Sequence, residues 1–251
     1  AGPGDITVSG TYSSGSTTAS LEGPGDRTIS GTYNAGGIVV KCQLINTGDI
    51  NVTGTFMLGT NGGLINTGTV DVKGDSDFPY NDINNDGIMN QGLFKKSSGV
   101  SRCDITVTCS NNGTMDAQSG DLRLDGKGSH GGSFNSNGGR IVFHGSDTLD
   151  AGASIGGSGT SVVSGDLIIN NAVGATNILF DQGSIYGPAN LTVSGNLNWT
   201  AGTFGRFGST AGEIHINGTL SIAGGDKLET VMKNNGTITW TSSSWTMNTG
   251  G

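Results

Sequence analysis

The residues of this chain that could do chemistry are few and dispersed. Asp82, Asn84 and Asp86, within Asp82-Ile83-Asn84-Asn85-Asp86-Gly87, match the opening of an oxygen-ligand calcium loop, with Asp75 and Asp77 just upstream. Oxygen donors at alternate positions suit a hard cation, but the last ligand position, where a bidentate Glu belongs, holds Leu93. Asn85-Asp86-Gly87 also falls where the repeat wants its ordinary Asn-x-Gly corner, so a plain turn without a cofactor is the expectation and calcium the alternative to test. Cys103 and Cys109 flank a five-residue segment and are expected to form a small disulfide loop in an oxidising compartment, the alternative being two free thiols. Cys42 is then left over, either buried as a small apolar residue or open to an intermolecular bridge.

Catalytic constellations do not emerge. His130, His144 and His215 are far apart in sequence, and no nucleophile elbow, zinc-protease helix or phosphate loop occurs. Asp121 and Asp125 stand beside Arg123 at alternate positions, an arrangement that usually solvates one face of a strand. Phe204-Gly205-Arg206-Phe207 and Trp245 could face a glycan, yet so few aromatics are expected to fill the core. Six Asn-x-Ser/Thr sequons, beginning at Asn51, Asn112, Asn190, Asn198, Asn217 and Asn235, are what so Asn- and Thr-rich a chain yields by chance. No enzyme is expected.

The elements that would hold these residues are strands. Of 251 residues, 47 are glycine and only 4 proline, charged residues make up 13%, and Thr, Ser, Asn, Val and Ile abound. That composition points to an all-β chain with very frequent turns. Glycine lacks a three-residue period, which excludes collagen, and no apolar run approaches a membrane span. A net charge of -8 argues against nucleic-acid binding and polybasic membrane docking.

Apolar and polar residues alternate in Asp5-Ile6-Thr7-Val8-Ser9, Asp104-Ile105-Thr106-Val107-Thr108, Asp121-Leu122-Arg123-Leu124-Asp125 and Glu213-Ile214-His215-Ile216-Asn217, among others. This is the period of a strand with one buried face. The strands recur. Gly2-Pro3-Gly4-Asp5 returns as Gly23-Pro24-Gly25-Asp26, 21 residues on, and Asn46-Thr47-Gly48 returns as Asn66-Thr67-Gly68, 20 residues on. Asn85-Asp86-Gly87, Asn111-Asn112-Gly113 and Asn234-Asn235-Gly236 extend the series with one longer step of 26. A sandwich has no reason to repeat itself at a fixed offset, whereas a solenoid stacks like on like. The expectation is a right-handed parallel β-helix of about a dozen coils of ~20 residues. It forms one domain over 1–251, with the Gly-Pro-Gly-Asp pair in 1–44, Asn-x-Gly coils in 45–251 and a loop insertion near 93–110.

From about Ile45 to Gly251 the chain resembles the repeats of secreted bacterial parallel β-helix surface proteins, the filamentous-haemagglutinin and autotransporter-adhesin kind. Leu64-Ile65-Asn66-Thr67-Gly68-Thr69-Val70-Asp71-Val72, Asn112-Gly113-Thr114-Met115-Asp116 and Asn235-Gly236-Thr237-Ile238-Thr239-Trp240 carry the likeness. The Gly-Pro-Gly-Asp units and the Cys103/Cys109 pair depart from it. The resemblance implies an extracellular, secreted rod that displays or forms adhesive or filament structure; because the terminal segments read as repeat units and not as caps, the expectation is a non-enzymatic shaft or a subunit polymerising end to end with copies of itself or with adjoining repeats of a longer chain. A carbohydrate-binding adhesive module that takes surface glycans is the alternative, and a polysaccharide-degrading enzyme ranks below both.

Overall fold

The computed structural model describes residues 4–15, 19–79, 87–205, 212–224, 227–241 and 246–247. Every pairing between its strands is parallel. The chain is a parallel β-solenoid whose coils lie in-register on one another, with about 20 residues to a coil. A coil carries up to three short strands, one on each face. The first face is a thirteen-stranded sheet that begins at Ile6–Val8, and the second is a twelve-stranded sheet that begins at Thr11–Ser14. The third has three strands from Ala19–Leu21 to Phe56–Leu58 and then eight from Arg102–Ile105 to Thr237–Trp240. Its two parts are joined by backbone at Asp77 and Phe78. The Phe56 N–H donates to the Asp77 carbonyl at 2.9 Å, and the Phe78 N–H to the Asp104 carbonyl at 2.9 Å. With ~4.8 Å between strands, thirteen of them make a rod roughly 58 Å long.

The observed registers reproduce the sequence repeats where these are strongest. Tyr12 stacks on Tyr33, their ring centroids 5.4 Å apart, and Ile50 stacks on Val70. Residues between 93 and 110, expected to form an inserted loop, are instead a regular stretch of solenoid: Leu93–Ser98, Arg102–Ile105 and Cys109–Asn111 sit on three successive faces. The additional residues lie earlier, between Thr69–Lys73 and Gly87–Asn90. Consequently the corner that continues Asn66-Thr67-Gly68 is Asn90-Gln91-Gly92, since Asn66 pairs with Asn90 and Asn90 with Asn111. Asn234-Asn235-Gly236 occupies a different corner, where Gly236 stacks over Gly218 at the end of the second face.

The inward positions form apolar columns. Leu44, Leu64 and Ile88 follow one another on the first face, and Ile50, Val70, Phe94 and Met115 on the second, all essentially buried. Each such side chain contributes about 1.5–3 kcal/mol relative to exposure. Phe56, Phe78 and Phe94 stack in the interior with ring centroids 5.1 and 5.2 Å apart. Phe204 is fully buried, as a core role required. No described helix is long and apolar enough to cross a membrane.

Glycine at the Asn-x-Gly corner follows from the closeness of the coils. A Cβ on Gly68, Gly92 or Gly113 would collide with the carbonyl of the glycine one coil below, namely Gly48, Gly68 and Gly92. Those same carbonyls accept the N–H groups of Thr69, Leu93 and Thr114 at 2.8–2.9 Å, so they have no freedom to retreat. Gly174, by contrast, has open space where its Cβ would go. Gly92→Ala is therefore expected to lower the unfolding free energy by at least ~2 kcal/mol, while Gly174→Ala stays within about 0.5 kcal/mol of the parent. Urea titrations of the two variants check this, and equal losses would refute the corner argument.

Candidate functional site

The outward residues of the third face form a dense group of ionisable side chains. Arg102, Asp121 and Arg140 stack in one column, Asp104, Arg123, Val142 and Val162 in the next. Backbone bonds place Asp125, His144, Ser164 and Asp181 one above another in a third, through N–H donation to Ile105, Leu124, Phe143 and Val163 respectively. Opposite charges alternate both along and across the strands. Arg140 grips Asp121 through Nε to Oδ1 at 2.7 Å and Nη2 to Oδ2 at 2.6 Å, and this bidentate bond holds the guanidinium pKa above its usual value. Arg102 Nε lies 2.8 Å from Asp104 Oδ2 and Arg123 Nε 2.7 Å from Asp125 Oδ1, which also faces His144 Nδ1 at 3.0 Å. Burial, reinforced by the charge of Asp125, raises the Asp104 pKa. The expected outward placement of Asp121, Arg123 and Asp125 is what the structure has.

Inside the rod runs a second polar feature. Asn46, Asn66, Asn90 and Asn111 are completely buried and in register on the first face. The Nδ2 groups of Asn46, Asn66 and Asn90 each donate to the next Oδ1 at 2.7 Å and also to the carbonyl of Thr69, Leu93 or Thr114, while Asn111 Nδ2 donates to the Ser133 carbonyl at 3.1 Å. Above Asn111 the column continues with His130, whose Nδ1 accepts the Asn111 backbone N–H at 3.1 Å. That bond fixes the tautomer, so Nε2–H donates to Asp147 Oδ1 at 3.0 Å. Gly128 leaves the space that the imidazole fills. Sequence reasoning missed this pair because His130 and Asp147 are distant in sequence; the only signal was Asn at one column of the repeat. A His–Asp pair resembles part of a catalytic triad, but both ring nitrogens are engaged, and neither residue is more than 1% exposed. The pair is a structural terminus of the ladder.

The remaining candidates divide. Asp82, Asn84 and Asp86 lie outside the described residues, so the calcium reading stays where the sequence leaves it. Among the described residues no group of three or more His, Cys, Asp or Glu could hold a metal. Asp75 and Asp77 have structural partners: Asp75 Oδ1 accepts from Lys96 Nζ at 2.9 Å and from the Ser101 N–H at 3.0 Å, and Asp77 Oδ1 from the Asp104 N–H at 2.9 Å. Lys96 itself is fully buried, its ammonium also donating to the Ser98 and Gly99 carbonyls. His215 sits outward as expected, 2.7 Å from Glu213 Oε2.

The expected Cys103–Cys109 bond is not formed. Cys103 stacks under Leu122 on the third face and Cys109 over Ile88 on the first, and both are free and buried like Cys42. The residues between them turn the chain from one face to the next, so the two side chains enter the core from different sheets. Burial raises all three thiol pKa values and leaves them inert.

The fold thus defines a parallel β-solenoid repeat protein. Compared with known proteins, the chain matches no family model, no curated protein and no solved structure.

Two outcomes check these assignments. Titration with a thiol reagent, without reductant, is expected to find no reactive cysteine in the native chain and three after denaturation; one alone would establish a disulfide. Burial, against the His130 bond, raises the Asp147 pKa. A carboxyl whose folded pKa is raised favours folding below its unfolded value near 3.9 and loses that contribution as pH climbs through the folded pKa. Asp147→Asn, which can still accept from His130, is therefore expected to gain stability relative to the parent as pH rises from about 4 toward neutrality. Urea midpoints measured across that range decide it; a constant difference would contradict the assignment.

Proposed function

We propose that the chain is a non-enzymatic structural rod, a segment of an extracellular shaft or a subunit that stacks end to end. The observation that carries this is the state of the stacked columns at the two extremes of the described solenoid. Ile6 and Tyr12 in the first coil are 53% and 49% exposed, and Ile238 and Trp240 in the last third-face strand are 52% and 47% exposed. Tyr33, Leu220 and Ile222, which stack on Tyr12, Ile238 and Trp240 one coil inward, are buried, whereas Ile6 stacks on the half-buried Arg27. A further coil, from a second copy or from adjoining repeats, would cover them and continue the ladders by strand addition. The mechanical role follows from backbone bonds that run along the rod, so that tension is shared among three parallel ladders. The extracellular setting is supported by the likeness of the Asn-x-Gly repeats to those of secreted surface proteins.

Negative-stain electron microscopy and sedimentation of the purified chain test the assembly. Rods longer than the roughly 58 Å of one chain, growing with concentration, are the expected result, and Ile238→Asp is expected to shorten them. Particles of single-chain length at every concentration would reject stacking between copies.

A further inference from the structure

The three faces differ in how they carry charge. On the third, Arg102, Arg123 and Arg140 are each matched by an aspartate of the same chain, and on the second Asp71 is held by Lys73 and Lys95. The first face is nearly uncharged. From Ile6–Val8 to Lys227–Leu228 its outward positions hold serine, threonine, glycine, glutamine and apolar residues, apart from Lys127, Asp166 and Lys227. Lys227 pairs with Glu229. Lys127 and Asp166 have no such neighbour. Among the described residues, Lys127 is the one lysine or arginine whose side chain makes neither an ion pair nor a hydrogen bond, and the Asp166 carboxylate makes neither as well. The two lie in one outward column, two coils apart, with Ser146 between them. In the adjacent outward column Ile45, Ile65 and Met89 follow one another in one half of the rod and Ile168 stands in the other. Met89 is 42% exposed.

We infer that the first face is the docking surface for a second copy of this chain, packed sheet on sheet with the two rods antiparallel. The charges select this arrangement. A two-fold axis along the rod would set each coil against the same coil and leave Lys127 and Asp166 without opposite numbers. An axis along the strands at the level of Ser146 brings Lys127 of each copy against Asp166 of the other, twice, because Ser146 stands midway between them. Both side chains are long enough together to meet across the ~10 Å that separates packed sheets. With the axis there, about eleven of the thirteen strands overlap. At ~4.8 Å between strands and ~3.3 Å per residue, that overlap is roughly 48 Å by 10–13 Å, or about 500–600 Å² of plane per copy. This is the size of the smaller specific interfaces, and depletion of charge with aliphatic residues at the centre is their usual composition. A flat ligand such as a glycan sheet would gain nothing from two opposite charges placed symmetrically about Ser146. This sideways pairing is separate from the end-to-end stacking proposed above, and neither requires the other.

Sedimentation equilibrium of the intact chain tests it, in the Ile238→Asp background so that stacking at the ends adds no mass, with rod width read by negative-stain electron microscopy. Dimers of doubled width and single length are the expected result. Lys127→Glu and Asp166→Lys each set like charges opposite one another at two places, and each is expected to weaken dimerisation at least about tenfold. An equimolar mixture of these two variants is expected to recover it, since both contacts then join opposite charges. Lys233→Gln, on the second face, leaves the dimer unchanged. Monomers at every concentration, dimers indifferent to both reversals, or no recovery in the mixture would each overturn the inference. Monomers that instead co-sediment with insoluble cellulose or chitin would replace the second copy with a glycan surface. Rods of the parent chain that lengthen without widening would refute this pairing and leave the stacking at the ends standing.

Discussion

Parallel coils held ~4.8 Å apart by backbone hydrogen bonds are the constraint from which the rest of this structure follows. At that spacing each inward side chain meets its counterpart one coil away, and only a few residue types tolerate being stacked on themselves. Branched aliphatics and aromatics do, as the column through Ile50, Val70 and Phe94 shows. Glycine is required wherever the corner brings one backbone against the carbonyl of the next, as at Gly48, Gly68, Gly92 and Gly113. The high glycine content is thus the consequence of a close approach repeated many times.

The buried asparagine ladder is the costlier part of the design. Amides removed from water must find every partner inside, and three internal links of the ladder do so with short bonds along and across the coils. Its ends are less complete: Asn46 Oδ1, above Ile29, and Asp147 Oδ2 both lack a hydrogen bond. An unpaired buried acceptor costs about 1–3 kcal/mol. What the ladder contributes in return is register, because a slip by one residue would set these amides against aliphatic neighbours. The His130–Asp147 pair closes the column where the amides give way to Leu149.

Outward positions escape the stacking constraint, and variation concentrates there. The second face displays a polar column through Asn34, Asn51, Asp71 and Lys95, while the third carries the arginine checkerboard and the valine strip beside it. Since the interior fixes where every outward residue stands, a row of side chains is presented at regular intervals along the rod without flexible loops.

Read without its structure, the sequence determined the class of fold and its period. Alternation of two fixes a one-sided strand, and recurrence near twenty residues fixes stacking, so the 20- and 21-residue offsets became true registers. It did not determine which asparagine corner continues which. Asn85-Asp86-Gly87 and Asn90-Gln91-Gly92 look alike locally, and only pairing with Asn66 and Asn111 decides between them. The same held for Cys103 and Cys109: a short separation suggests a bridge, but an intervening corner sends them into different sheets. His130 with Asp147, and the outward valine strip beside the arginine–aspartate grid, exist only because coils distant in sequence are adjacent in space. Local patterning carries the period; contacts across coils depend on the exact length of each one, which tertiary packing alone decides.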